Sequence, residues 1–250
     1  FTMLSFRSCA DQFKLVYYDH CCNGRSTGVE LSTITLHNLT ADADDLRKTL
    51  GFDKWAVLGH SFGGMVALEY ALRYPQSLSH LILIDTCGDS RWVQEHAPKA
   101  LANRGFDANT VKLAQRFFNG DIRPEEMKTA MMSFGKAYYY HPSLSLLMRE
   151  VISGIRMKTR PEALIFGFSR LLRSWTVMDR LDEITVPTLI IAGRHDFQFP
   201  PEHQNSLAAG IPNARLKIID AAGHNAHSEQ RSVVIDEIKR FLSTANLGRA

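Results

Sequence analysis

The sequence predicts an α/β fold, a mostly parallel sheet with helices on both faces and an inserted helical cap. Three observations carry this expectation. Short apolar runs of strand length alternate with longer stretches whose apolar residues recur three and four positions apart. Runs such as Leu81-Ile-Leu-Ile84 and Thr188-Leu-Ile-Ile-Ala192 are apolar at nearly every position, as strands covered on both faces are. Between Cys87 and Val177 the rhythm stops for about ninety residues without a clear strand, far longer than an ordinary connection.

In chain order, Lys14-Leu-Val-Tyr-Tyr18 reads as a buried strand ending at Asp19. Leu36, Leu39, Ala43, Leu46 and Leu50 form one stripe of an amphipathic helix, and Gly51 closes it as a C-terminal glycine. Trp55-Ala-Val-Leu58 is the next strand. A helix with Met65, Leu68, Ala71 and Leu72 on its inner face follows, and Pro75 stops it. Leu81–Ile84 is a further strand with Asp85 at its end.

Breaks at Pro98, Gly105, Gly120, Pro124, Pro142, Gly154 and Pro161 divide the following stretch into helical pieces. Its aromatics, Phe117, Phe118, Tyr138, Tyr139, Tyr140, Phe166, Phe168 and Trp175, suit an internal core or the wall of a pocket. Strand patterns return at Pro187–Ala192 and Ala214–Ile219, with helices at Pro201–Ala209 and Ser228–Leu242. The expected division is a core of residues 1–86 and 178–250 with a helical cap of 87–177.

Composition narrows the function classes. The chain has 250 residues, 45% hydrophobic and 22% charged, with a net charge of +3. That suits one large domain and excludes a charged disordered tail. No cluster of Lys and Arg suggests nucleic acid, and no apolar run approaches the length of a membrane span. Cys9, Cys21, Cys22 and Cys87 lack the paired spacing of a zinc site, so neither a metal nor a cofactor is expected. Reduced thiols imply a cytoplasmic protein. Oligomeric state is not legible in the sequence.

Gly59-His60-Ser61-Phe62-Gly63 fits the pattern G-x-S-x-G and lies between a strand and a helix. On such a turn the flanking glycines avoid collision and the serine hydroxyl is pushed outward. The Phe62 N–H, at the helix N-terminus, is the candidate oxyanion donor. A serine hydroxyl needs a base to take its proton. His224, on the loop after the Ala214–Ile219 strand, is the first candidate and His227 the alternative. The base in turn needs a carboxylate to orient it. Asp196, after the strand ending at Ala192-Gly193, is the first candidate; Asp85 is the alternative. His60, inside the turn, is expected to pack or hydrogen-bond locally.

With these blocks in view, the chain resembles the α/β-hydrolase superfamily, most of all the proline iminopeptidase (prolyl aminopeptidase)-like group. The resemblance rests on Tyr18-Asp-His-Cys-Cys-Asn-Gly-Arg-Ser26, Gly59-His-Ser-Phe-Gly-Gly64 running into Ala71-Leu-Arg-Tyr-Pro75, Val186-Pro-Thr-Leu-Ile-Ile-Ala-Gly-Arg-His-Asp196, and Ala222-Gly-His224. It implies a serine hydrolase cleaving a small ester, lactone or amide through an acyl-enzyme, acting on small molecules or short peptides. Two other readings stay open: a carboxylesterase or lactonase without peptidase activity, and a hydrolase fold kept as a ligand-binding module.

Cys21 and Cys22 stand where relatives usually carry Arg and Gly. Relatives also place a His-Gly-Gly-Pro-like loop, source of a second oxyanion donor, before the strand matching Lys14–Tyr18. The resemblance therefore implies either that the given sequence is a piece of a longer protein carrying this loop and the first strands, or that the protein is unusual at its N-terminus. An aminopeptidase also needs carboxylates for the substrate ammonium. Glu95, Glu125, Glu126, Glu150 and Glu162 are available, while the position after Asp196, a Glu in some relatives, is Phe197.

Overall fold

The computed structural model describes residues 5–26, 30–156 and 160–244. Strands β1 (Trp55–His60), β2 (Leu78–Ile84), β3 (Thr188–Gly193) and β4 (Ala214–Ile219) form a parallel sheet in the order β1-β2-β3-β4. Their carboxyl ends therefore lie along one edge. Helices α1 (Leu36–Thr49) and α2 (Phe62–Arg73) flank β1 in sequence, and α8 (Pro201–Gly210) connects β3 to β4. The short α9 (Ala226–Glu229) and the closing α10 (Arg231–Thr244) follow β4.

The alternation of side chains along a strand sorts the sheet's two faces. Leu81, Leu83 and Ile190 point into a core shared with Met65 and Leu68 of α2 and Leu207 of α8. Ile82, Ile84, Leu189 and Ile191 point the other way, onto Val234, Ile235, Ile238 and Phe241 of α10. Both faces are buried, which is why these strands read as continuous apolar runs. The Thr35 hydroxyl caps α1 by accepting the Asn38 N–H at 3.1 Å, and Gly51 takes a φ of +75° just past its end.

The stretch after β2 is helical: α3 (Ser90–Asn103), α4 (Ala108–Phe118), α5 (Met127–Phe134), α6 (Leu144–Arg156) and α7 (Pro161–Phe166). Its entry and exit lie side by side. Asp89 and Thr176 form an antiparallel bridge, Ser90 donates from its N–H and its hydroxyl to the Trp175 carbonyl, and the Val177 N–H donates to the Gly88 carbonyl. The aromatics divide between the two expected uses. Phe117, Phe118 and Phe134 are buried, with Phe117 meeting the other two edge to face, whereas Tyr138 lies against His224.

Two expectations fail. Lys14–Tyr18 makes no strand among the described residues, and Tyr17 and Tyr18 are exposed. A strand exists only as a ladder, and apolar composition cannot supply the partner that pairs with its backbone. Leu15 instead packs beside the α10 core. The helix expected over Ser228–Leu242 is broken at Gln230, which separates α9 from α10.

Leu83 is fully buried at the centre of the sheet. Leu83→Ala is expected to cost about 2–5 kcal/mol of unfolding free energy, measured by urea denaturation, because the surrounding strands cannot collapse into the space.

Candidate active site

Each strand delivers one group to the shared edge: β1 runs into Ser61, β2 into Asp85, β3 into Asp196 and β4 into His224. Ser61 stands between β1 and α2 at φ 53° and ψ −122°. Its N–H donates to the Ile84 carbonyl at 3.0 Å. Its carbonyl accepts the Gly64 N–H at 2.9 Å and the Thr86 hydroxyl at 2.7 Å. A Cβ on Gly59 would lie 2.3 Å from the Gly63 carbonyl oxygen, so only glycine fits there. The expectation for Gly63 is corrected: a Cβ there would meet nothing within 4 Å. The tight position is Gly64, where a Cβ would come within 2.5 Å of Thr86. The Phe62 N–H belongs to the first turn of α2, where amides have no intrahelical acceptor.

The expected base and acid meet the serine in one row. His224 Nε2 is 3.0 Å from Ser61 Oγ, and His224 Nδ1 is 2.9 Å from Asp196 Oδ2. A carboxylate only accepts, so the ring proton is assigned to Nδ1, leaving Nε2 to take a proton from the hydroxyl. Asp196 Oδ1 accepts the Gln198 N–H at 2.8 Å. Burial pushes the Asp196 carboxyl up, but His224 and the N–H groups of Gln198 and Phe199 outweigh it and hold the group below its ordinary value. Tyr138 and Phe199 pack against the imidazole at ring separations of 5.4 and 5.5 Å.

The two alternatives take other positions. Asp85, fully buried, accepts the Gly193 N–H at 2.7 Å on Oδ1 and the Ala226 N–H at 3.1 Å on Oδ2. Burial and the charge of Asp196 push its carboxyl well above the ordinary range, against those two amides. His227 is buried with neither ring nitrogen hydrogen-bonded, and burial holds it well below the ordinary imidazole value. His60, Asp85 and His227 offer ligand atoms within 4.8 Å of one another, a grouping that could hold a metal. Both oxygens of Asp85 are already engaged by backbone amides.

Several contributors escape the sequence reading. Glu229 accepts the N–H groups of Gly223 and Tyr140 at 2.7 and 2.8 Å, tying the loop of His224 to the segment after α5. Arg104 donates to the carbonyls of Ala137 and His195, tying that segment to the loop of Asp196. No motif marks either residue, because their partners are backbone groups brought close only by folding.

The family model described as alpha/beta hydrolase fold matches residues 5–230. Among curated proteins, a proline iminopeptidase of Saccharolobus solfataricus is 28% identical, the match covering 91% of this chain and 75% of that protein. A protein of Rhizobium rhizogenes named for carbamate hydrolysis, RutD, is 27% identical over 93% of this chain and 84% of its own. Among solved structures, a thermophilic esterase from Thermogutta terrifontis superposes with a TM-score of 0.71 at 26% identity, covering 97% of this chain and 84% of that one.

The histidines beneath the row give stability a pH dependence of definite sign. An unfolded histidine takes its proton near 6.5, but in folded His60, half-buried and facing His224, desolvation holds the value down to about 3. Between those values the unfolded chain binds more protons. The contribution of His60 is therefore fully present above 6.5 and lost as pH falls through about 3. Urea unfolding at about pH 7 and about pH 4.5 checks this: His60→Gln is expected to lose less stability on acidification than the wild type.

Proposed function

The chain belongs to the alpha/beta hydrolase fold family and is an enzyme of the hydrolase class, and from that premise we propose a serine hydrolase that works through an acyl-enzyme. The observation that carries this reading is the hydrogen-bonded row Ser61–His224–Asp196. In this mechanism His224 Nε2 takes the Ser61 proton as Oγ attacks a substrate carbonyl. Asp196 holds the ring and stabilises the imidazolium. The Phe62 N–H and the amino end of α2 face the developing oxyanion. His224 then protonates the leaving alcohol or amine, and water activated by the same ring releases the acid.

Residues 87–177 serve as a cap over a core of 1–86 and 178–250. The paired entry and exit at Asp89 and Thr176 support that division. Tyr138 against His224 puts the cap in position to choose substrates and exclude water. The substrate class is a small ester, lactone or amide, including N-terminal peptide amides by likeness to the iminopeptidase relative. A second reading, a carboxylesterase or lactonase without peptidase activity, is favoured by the acidic side chains. Glu126 is held by Arg116 and Arg123, Glu125 by Arg123, and Glu150 by Arg149, while Phe197 follows Asp196. Cysteines outside any disulfide among the described residues support a cytoplasmic location, and no helix among the described residues is long and apolar enough to cross a membrane.

A fluorophosphonate probe is expected to label the wild type covalently and leave Ser61→Ala unlabelled. Labelling that persists in the variant, or tight ligand binding without any labelling, would contradict the enzyme reading. Asp196→Asn is expected to lower kcat by a factor on the order of 10³–10⁴. Proline p-nitroanilide tested beside p-nitrophenyl butyrate and a small lactone separates the two substrate readings: cleavage of the first marks the peptidase, its absence the esterase or lactonase.

A further inference from the structure

The hydrogen bonds of the Asp85 carboxyl and the His60 ring go to backbone groups of the loops that carry Asp196 and His224. Asp85 follows β2 at a φ of +45°, in the left-handed region that aspartate enters more readily than most side-chain-bearing residues. Its N–H donates to the Ile191 carbonyl at 2.9 Å, anchoring it to β3. One carboxyl oxygen then holds the N–H of Gly193, three residues before Asp196, and the other holds that of Ala226, two residues after His224. A single buried side chain thus spans the acid loop and the base loop.

These two loops press together so closely that a Cβ on Gly193 would lie 2.0 Å from the Gly223 carbonyl oxygen. No side chain fits between them, and their spacing is set from beneath. His60 supplies the other tie. Its Nε2 lies 2.9 Å from the His224 carbonyl oxygen, and because a carbonyl only accepts, Nε2 carries the proton. The ring also packs against those of His224 and His227, with centroids 5.0 and 4.4 Å apart. His227 is itself buried and stacked on Phe6.

We propose that Asp85 and His60 are positioning residues, which lock the loops of Asp196 and His224 to the Ser61 turn through backbone hydrogen bonds and so set the contact between Ser61 and His224. The inference rests on the Ser61 reading given above. Proton transfer between Oγ and Nε2 depends steeply on their separation. A misplacement of about 1 Å costs a factor on the order of 10² in rate.

The test exploits the two parts of the histidine side chain. His60→Gln keeps a nitrogen donor near the position of Nε2 without the ring, whereas His60→Phe keeps a ring without the donor. With p-nitrophenyl butyrate, or whichever ester the wild type turns over, His60→Phe is expected to lower kcat about 10- to 100-fold with KM within about threefold. His60→Gln should retain much more of the rate. A packing role predicts the reverse order; wild-type kcat in His60→Phe, or equal losses in both variants, overturns the proposal.

Because a change beneath the loops can impair folding, Asp85→Asn gives an independent reading. Its amide has one acceptor oxygen for two backbone N–H groups. The downfield proton resonance of the His224–Asp196 hydrogen bond is expected to shift or broaden and kcat to fall. An unchanged resonance with unchanged kcat overturns the role of Asp85. Ser61→Ala, run alongside, separates the two failures. Turnover surviving in Ser61→Ala removes the serine mechanism itself, whereas Ser61-dependent turnover indifferent to residues 60 and 85 removes only the positioning role.

Discussion

The backbone at Ser61 is the constraint on which the rest of the site depends. A serine at φ 53° and ψ −122° sits far from the regions that residues with a Cβ prefer. Such a conformation costs about 1–3 kcal/mol and persists only where its surroundings over-determine it. Here they do. The N–H is bonded to β2, the carbonyl accepts from Gly64 and Thr86, and Gly59 leaves room for the Gly63 carbonyl. The sharp turn is what places Oγ at the amino end of α2 within 3.0 Å of His224. A relaxed backbone would carry the hydroxyl away from both the imidazole and the helix end.

The restraint extends into the helical stretch. Glu229 bridges Gly223 and Tyr140, Arg104 bridges Ala137 and His195, and the Asn225 N–H reaches the Tyr138 carbonyl. The segment around Tyr138 is therefore attached to the loops of both His224 and Asp196. The segment and the row are thus joined by backbone hydrogen bonds rather than by side-chain packing alone.

Much of this was legible in the sequence, for a physical reason. Strands buried on both faces must be apolar throughout, so β2 and β3 announce themselves. The turn at Gly59–Gly63 stands out because a strained serine needs small neighbours. The chain order Ser61, Asp196, His224 follows because parallel strands bring successive carboxyl ends to one edge. The errors are equally instructive. Lys14–Tyr18 has the composition of a strand, but pairing is a property of two segments. Gly63 matched the pattern while Gly64 bears the steric load, since the near contact comes from Thr86 in the loop after β2. Glu229 and Arg104 act on backbone groups distant in sequence, and a single chain carries no mark of such meetings.

The rival carboxyls show how folding decides between residues that look alike in the sequence. Asp85 and Asp196 both end a strand and both are buried, so two negative charges at this edge would repel in a medium that screens them poorly. The donors around each one settle the contest. Asp196 receives an imidazole N–H and backbone amides, which hold its carboxyl down. Asp85 receives two backbone amides alone, and its carboxyl is driven up by burial and by Asp196. Of the two, only Asp196 faces the His224 ring, so it is the carboxylate placed to stabilise an imidazolium. Asp85 is left to bind the backbone, and its separation from the imidazole is a consequence of where its two oxygens are engaged.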